Sequence, residues 1–256
     1  MNFAVEGKAA FAYTAAHELD AAKPTMVFIH GAGLDHSLFG LQSRYFGYHG
    51  WNVLAVDLPA HGRSAGPALP SIGAMADWLS AALKSLKIEK PSLVGHSMGA
   101  LVALEYASRF PVGRIALIGV AYPMKVSEAF LDAARRNDHA AYDMETIWGH
   151  AAQVPLAGNP NPGMWMYGDA LARLRRLAPG VLHSDLKACN DYQLAGDVTC
   201  PVLVIMGRRD VMTPPKAASS LAEKTNAKTL AVEFSGHSLM AEAPDATLDG
   251  LVKFFA

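Results

Sequence analysis

Pro91-Ser92-Leu93-Val94 leads into Gly95-His96-Ser97-Met98-Gly99, and Ala100-Leu101-Val102-Ala103-Leu104-Glu105-Tyr106-Ala107 follows. The first run is short, apolar and β-like. The last has helical character. Strand, G-x-S-x-G and helix in that order predict a sharp turn whose strained central residue, Ser97, is lifted above the end of a sheet. Glycines suit positions 95 and 99 because side chains there would meet the neighbouring strand and helix. Three fixed positions are weak evidence alone, so the reading depends on what surrounds them.

Upstream, Thr25-Met26-Val27-Phe28-Ile29 and Asn52-Val53-Leu54-Ala55-Val56 are near-continuous apolar runs, as expected of strands buried on both faces. The first ends in His30-Gly31-Ala32-Gly33. The second ends at Asp57, ahead of a loop over 58–67. Between them Leu38, Leu41 and Tyr45 recur at helical spacing. Ser71 is placed to cap a helix with Ile72, Met75, Leu79, Leu83 and Leu86 on one face. Two short strands around Gly7 start the chain. Further strands are expected at 114–119, 201–206 and 229–234. Pro215 and Pro244 stand where helices open. Strands alternating with helices predict an α/β fold, with a mostly parallel, twisted sheet of about eight strands and helices on both faces. A ligand site then belongs at the carboxyl ends of the strands.

The alternation breaks over 122–195. That stretch is mostly helical and has its own aromatics and methionines, with a long irregular loop expected at 155–163. It reads as an inserted cap, so 1–121 and 196–256 form the core and 122–195 the cap. Its Trp and Met residues either line a pocket or fill a small core of their own. Candidate pocket residues are His96, Tyr122, Trp148 and Trp165. The clusters Arg135-Arg136 and Arg173-Arg175-Arg176 read as solvated helix faces.

Composition bounds the rest. The chain has 256 residues, 51% of them apolar, and a formal net charge of −1, which argues against nucleic acid as a partner. Two cysteines, Cys189 and Cys200, fit reduced thiols and cannot alone build a structural zinc site. The first eight residues lack the basic-then-apolar order of a signal peptide, and no run approaches the ~20 apolar residues that span a bilayer. A cytoplasmic protein with no membrane partner is the expectation. A homodimer stays open.

Ser97, Asp210 and His237 each lie just past a predicted strand, in that chain order. A serine hydroxyl needs a base within reach, and that base an orienting carboxylate. His30-Gly31, Asp57…Gly62-Arg63-Ser64, Gly95-His96-Ser97-Met98-Gly99, Gly207…Asp210 and Gly236-His237 together resemble the landmarks of the α/β-hydrolase fold superfamily over nearly the whole chain. The resemblance implies Ser97 as nucleophile, His237 as general base and then acid, and Asp210 as the orienting acid. It also implies an oxyanion hole from the backbone N–H groups of Ala32 and Met98, and no cofactor or metal. His30 is then structural and His96 packs beside the turn. Asp57 and Arg63 tie down their loop, and His61 has no assigned role. Ala60 stands where many relatives carry glycine, which suggests a backbone angle that an L-residue tolerates. The implied activity is hydrolysis of carboxylic esters, lactones or related small acyl compounds. Carbon–carbon bond hydrolysis, perhydrolysis, cyanohydrin cleavage and a slow-turnover ligand receptor remain alternatives on the same residues.

Overall fold

Buried on both sides, the central strands alternate their side chains between two separate cores. In the computed structural model, residues 1–152 and 165–256 are described. The irregular stretch expected at 155–163, and Met164, lie outside the described residues. Strands β1 (Asn2–Val5), β2 (Lys8–Tyr13), β3 (Thr25–Ile29), β4 (Asn52–Asp57), β5 (Ser92–His96), β6 (Ile115–Ile118), β7 (Val202–Gly207) and β8 (Lys228–Val232) form one sheet. Its order is β1-β2-β4-β3-β5-β6-β7-β8. β2 pairs antiparallel with β1 and β4, and every other pairing is parallel. Along β3, Val27 and Ile29 enter one core, while Met26 and Phe28 enter the other. This is the period-2 alternation of a strand covered on both faces.

Helices α2 (Ile72–Ser85), α3 (Met98–Arg109) and α8 (Pro215–Lys224) contribute Ile72, Met75, Leu79, Leu101, Leu104 and Leu221 to the first core. On the other face, a short 3-10 helix (His36–Phe39), α1 (Gly40–Tyr48), α9 (Leu239–Glu242) and α10 (Pro244–Phe255) supply Phe39, Phe46, Leu239, Leu251 and Phe255. Local chemistry marks several boundaries. Ser71 is extended, and its side chain accepts from the Ala74 amide at 3.1 Å, the cap expected of it. Pro215 and Pro244 occupy first-turn positions that do not need an N–H. The stretch in which Leu38, Leu41 and Tyr45 recur at helical spacing begins as the 3-10 turn, capped by Asp35, before α1 takes over.

Two expectations are corrected. β8 stops at Val232, and Phe234 is 72% exposed with the Arg209 guanidinium over its ring, so the apolar run continues past the strand. Ala60 has φ +70°, a left-handed angle and not one that an L-residue adopts freely. The loop holds it there. Ala60 N–H donates to Ala65 O, and Asp57 accepts from the Arg63 amide and, with its other oxygen, from the amide and ring of His36. Asp57 therefore does tie the loop, through the backbone of Arg63, whose guanidinium lies on the Phe11 ring instead.

Between β6 and β7 the chain makes α4 (Glu128–Arg135), α5 (His139–Trp148), α6 (Met166–Leu174) and α7 (Val181–Asp191). Arg135 and Arg136 pair with Asp132, and Arg173 pairs with Asp169. Polar contacts join this segment to the sheet side. Tyr192 Oη donates to Glu105 Oε2 at 3.0 Å, and Ser184 Oγ donates to Leu69 O.

Candidate active site

Strand β5 runs straight into Ser97, which has φ +52° and ψ −116°. Such a conformation costs about 1–3 kcal/mol and persists only where the surroundings impose it. Here they do. A Cβ at Gly95 would strike the Gly99 carbonyl, and one at Gly99 would strike the Ile29 carbonyl. Strand, turn and helix are thus closer together than any side chain permits, and Ser97 is the residue left projecting. Its own amide donates to Ile118 O at 2.9 Å, pinning the turn to β6.

His237 follows β8 on a loop held by Glu242. Glu242 Oε2 accepts from the amides of Gly236 and Ala151, and Oε1 from that of Ser238. Asp210, after β7, accepts from the Met212 and Thr213 amides on Oδ1. Its Oδ2 lies 2.8 Å from His237 Nδ1 and takes the Thr213 hydroxyl at 2.6 Å. Nδ1–H therefore points at the carboxylate, which leaves Nε2 as the basic nitrogen. That Nε2 is buried and has no partner among the described residues. Burial pushes the His237 pKa down, but the charge and hydrogen bond of Asp210 outweigh it, and the net shift is upward. Asp210 is held below the usual carboxylate range: burial raises it, while His237 and Thr213 lower it more.

Behind these groups lie two neutral imidazoles. His96 Nε2 donates to His237 O at 3.0 Å, its ring packs 4.7 Å from that of His237, and burial brings its pKa to about 3. His30 Nδ1 donates to Gly31 O, and its Nε2 accepts from the Leu58 amide. Burial takes it to about 4. His30 thus braces the loop over 31–33, the structural part expected of it. Among the described residues, no group accepts from the backbone N–H of Ala32 or Met98. Met98 opens α3, where the helix cannot satisfy its first amides.

A cavity of about 320 Å³ sits above Ser97 and Ala32. Described residues between β6 and β7 supply much of its wall, including Met124, Phe130, Trp148 and Leu186. Of the four pocket candidates, Trp148 lines the cavity and packs edge-on against Phe130. His96 lies behind the His237 ring. Tyr122 accepts from the Leu194 amide and meets Tyr192, away from the cavity wall. Trp165 is 78% exposed at the start of α6. Cys189 lines the cavity as a free thiol, its pKa pushed well up by burial, and Cys200 is also free. Among the described residues, no cluster of three His, Cys, Asp or Glu side chains could hold a metal ion.

Four residues were not singled out from the sequence. Thr213 and Glu242 orient the loops of Asp210 and His237. Asp185 of α7 is fully buried, and its Oδ2 accepts from the Gly33 amide at 2.9 Å and from His61 Nε2 at 2.8 Å. This gives His61 a partner. Burial lowers the His61 pKa, but Asp185 raises it more. Glu145 lines the cavity. Its spacing of three from Trp148 on a helix was a usable signal, because such pairs share a face.

Residues 26–249 match the model of the alpha/beta hydrolase family. The chain belongs to that family of enzymes. It is 29% identical over 218 residues to the pimeloyl-[acyl-carrier protein] methyl ester esterase of Chromobacterium violaceum, covering 78% of this chain and 81% of that one. It is 24% identical over 247 residues to 2-succinyl-6-hydroxy-2,4-cyclohexadiene-1-carboxylate synthase of Klebsiella pneumoniae, covering 91% and 94%. The enol-lactonase of Burkholderia xenovorans LB400 superposes with a TM-score of 0.85 at 21% identity, over 100% of this chain and 99% of that one. No helix among the described residues is long and apolar enough to cross a membrane.

Proposed function

We propose that this chain is a serine hydrolase that cleaves carboxylic esters or related acyl compounds, lactones among them, through an acyl-enzyme on Ser97. One observation carries the reading: a His237 whose Nδ1 is oriented by Asp210, in a site whose strained turn presents Ser97, although no hydrogen bond joins Ser97 Oγ to Nε2 in this structure. Ser97 Oγ attacks the substrate carbonyl while His237 Nε2 takes its proton. The carbonyl oxygen becomes an oxyanion held by the Ala32 and Met98 amides. Donors of this kind are worth ~10²–10³ each in rate. Collapse expels the alcohol, which takes the proton back from His237. Water then repeats the sequence on the acyl-enzyme and frees the acid. Residues 122–195 act as the cap, which shields the reacting atoms from water and sizes the pocket.

The test is hydrolysis of p-nitrophenyl esters from acetate to decanoate, with Ser97→Ala beside the parent. The cavity lies at the small end of the ~300–1,000 Å³ range of ligand sites, so the optimum is expected among the shorter chains. Ser97→Ala should lower kcat about 10⁶-fold. A parent inactive on every ester, or a variant equal to it, overturns the reading and moves carbon–carbon bond cleavage ahead.

A further inference from the structure

Glu145 projects from α5 into a wall that is otherwise largely apolar: Met124, Val126, Phe130, Trp148 and Leu186 share the cavity with it. Its Oε2 is buried, and no described residue donates to it. Ser97 and Ala32 form the floor of the same cavity. Glu145 as a residue is half-buried, but a carboxylate oxygen buried without a donor is costly, and folded proteins leave few such atoms unless a ligand or a reaction uses them. We propose that Glu145 is the polar anchor of the substrate pocket, selecting substrates whose non-reacting end carries a primary ammonium or another hydrogen-bond donor and rejecting those that carry a carboxylate there. In naming a substrate this rests on the Ser97 hydrolase reading; the binding preference itself does not require turnover.

The electrostatics favour a cation over an anion. Burial raises the Glu145 pKa to about 7, with His237 pulling it down and Asp185 pushing it up. Above that value Glu145 is an anion whose buried oxygen has no donor, in a half-buried position where a charged hydrogen bond counts more than it does in water. The titratable groups that face it are His237 from the loop after β8 and, on α7, Asp185 and Cys189, the last of which Glu145 itself pushes up. Lys125 also lines the cavity, but its ammonium donates to Asn190 O at 3.1 Å. On the helices packed against α5, Asp132 pairs with Arg135 and Asp169 with Arg173. A six-carbon chain ending in an ammonium can fill the apolar wall and give Glu145 its donor.

The experiment is calorimetric titration of the full chain with n-hexylamine, hexan-1-ol and hexanoate at pH 8 and pH 6, with Glu145→Gln alongside. At pH 8 hexylamine should bind at least ~10-fold more tightly than hexanoate, the advantage expected of a hydrogen bond to a charged group. Glu145→Gln should erase that preference while leaving hexan-1-ol within about threefold. For the parent, hexylamine affinity should fall at pH 6, where Glu145 takes up a proton. Tighter binding of hexanoate, pointing to Lys125 as the anchor, overturns the proposal. So does a variant that keeps the hexylamine preference. If Glu145→Gln does not fold, the ligand ranking of the parent decides alone. An enzyme inactive on every ester but selective for hexylamine sinks the hydrolase reading and leaves the anchor standing.

Discussion

Two regions meet at the cavity, and they hold their residues by different means. On the sheet side, position is imposed by backbone sterics. Ser97 stands where it does because Gly95 and Gly99 let β5, the turn and α3 approach closer than any Cβ permits. Asp210 and His237 follow strand ends whose register is fixed by parallel pairing. On the helical side, Glu145, Trp148 and Cys189 reach the same cavity from α5 and α7. That side is positioned by side-chain contacts that cross long stretches of chain, such as the hydrogen bond the Gly33 amide donates to Asp185. On the proposed mechanism, one wall therefore carries the reacting atoms on rigid supports, while the other sets what surrounds them. Changes on the sheet side should act on the chemical step, and changes on the helical side on affinity and on the coupling of the two walls.

The largest effect that tests this contrast belongs to Asp210→Asn. The substituted amide would keep an acceptor for the Met212 and Thr213 amides but would turn a neutral group toward His237 Nδ1, unsettling the tautomer that leaves Nε2 basic. A fall in kcat of roughly 10⁴-fold with KM near the parent's is expected. Steady-state kinetics on the best p-nitrophenyl ester measure it. A fall of less than tenfold would undo the contrast, because the Thr213 hydroxyl, 3.1 Å from the same nitrogen, would then be orienting the ring unaided.

The same contrast explains what the sequence disclosed. The serine turn, the strand ends and the Ser97, Asp210, His237 order depend on local signals: apolar runs of strand length, glycines at tight approaches and one residue just past each strand. Short-range sterics write those into the chain directly. Glu145, Asp185 and Glu242 carry no such mark. Each is an acid in ordinary helical sequence. The use of Asp185 and Glu242 depends on partners distant in the chain, Gly33 after β3 and Ala151 after α5, and Glu145 meets the charge of His237 only once the loop beyond β8 is in place. Aromatic residues misled for a related reason. Trp165 and Trp148 look alike as residues in a helical stretch, yet one is 78% exposed and the other lines the cavity. Only packing tells them apart. Arg63 lies in the loop that its position in the sequence predicts, but its backbone does the work expected of its side chain.

A smaller effect tests how firmly the two walls are coupled. Asp185→Asn weakens the one carboxylate that holds both the Gly33 amide of the sheet side and His61. About a tenfold loss in kcat is expected, together with roughly 2 kcal/mol of stability. The stability loss should depend on pH. His61 has a folded pKa raised above its unfolded value, so the pair contributes fully below the ordinary histidine pKa and its contribution fades as pH rises through the raised one. Denaturant unfolding of parent and variant should therefore differ most near pH 6 and least near pH 9. A gap that widens with pH would show that the pair is not what fastens α7 to the loop over 31–33.

The smallest effect asks whether backbone strain on the sheet side is always tied to the reacting atoms. Ser97 and Ala60 both have positive φ, at +52° and +70°. Ser97 carries its strain at the cavity floor. Ala60 lies in the loop after β4, where Asp57 and the Ala60-to-Ala65 hydrogen bond define the backbone and the Ala60 methyl faces Gly66, at which an added Cβ would stand 3.4 Å from it. Relief of a left-handed alanine is worth about 1–2 kcal/mol, while the freer unfolded chain of a glycine costs about 0.4–1 kcal/mol. Ala60→Gly should thus gain about 0.5–1 kcal/mol in denaturant unfolding and leave kcat and KM unchanged. If activity fell with the strain released, Ala60 would belong with Ser97, because the loop's tension would then be reaching the cavity through His61 and Asp185. If stability fell instead, the loop would be giving way at Ala60, and the Asp57 hydrogen bonds would be the weaker constraint.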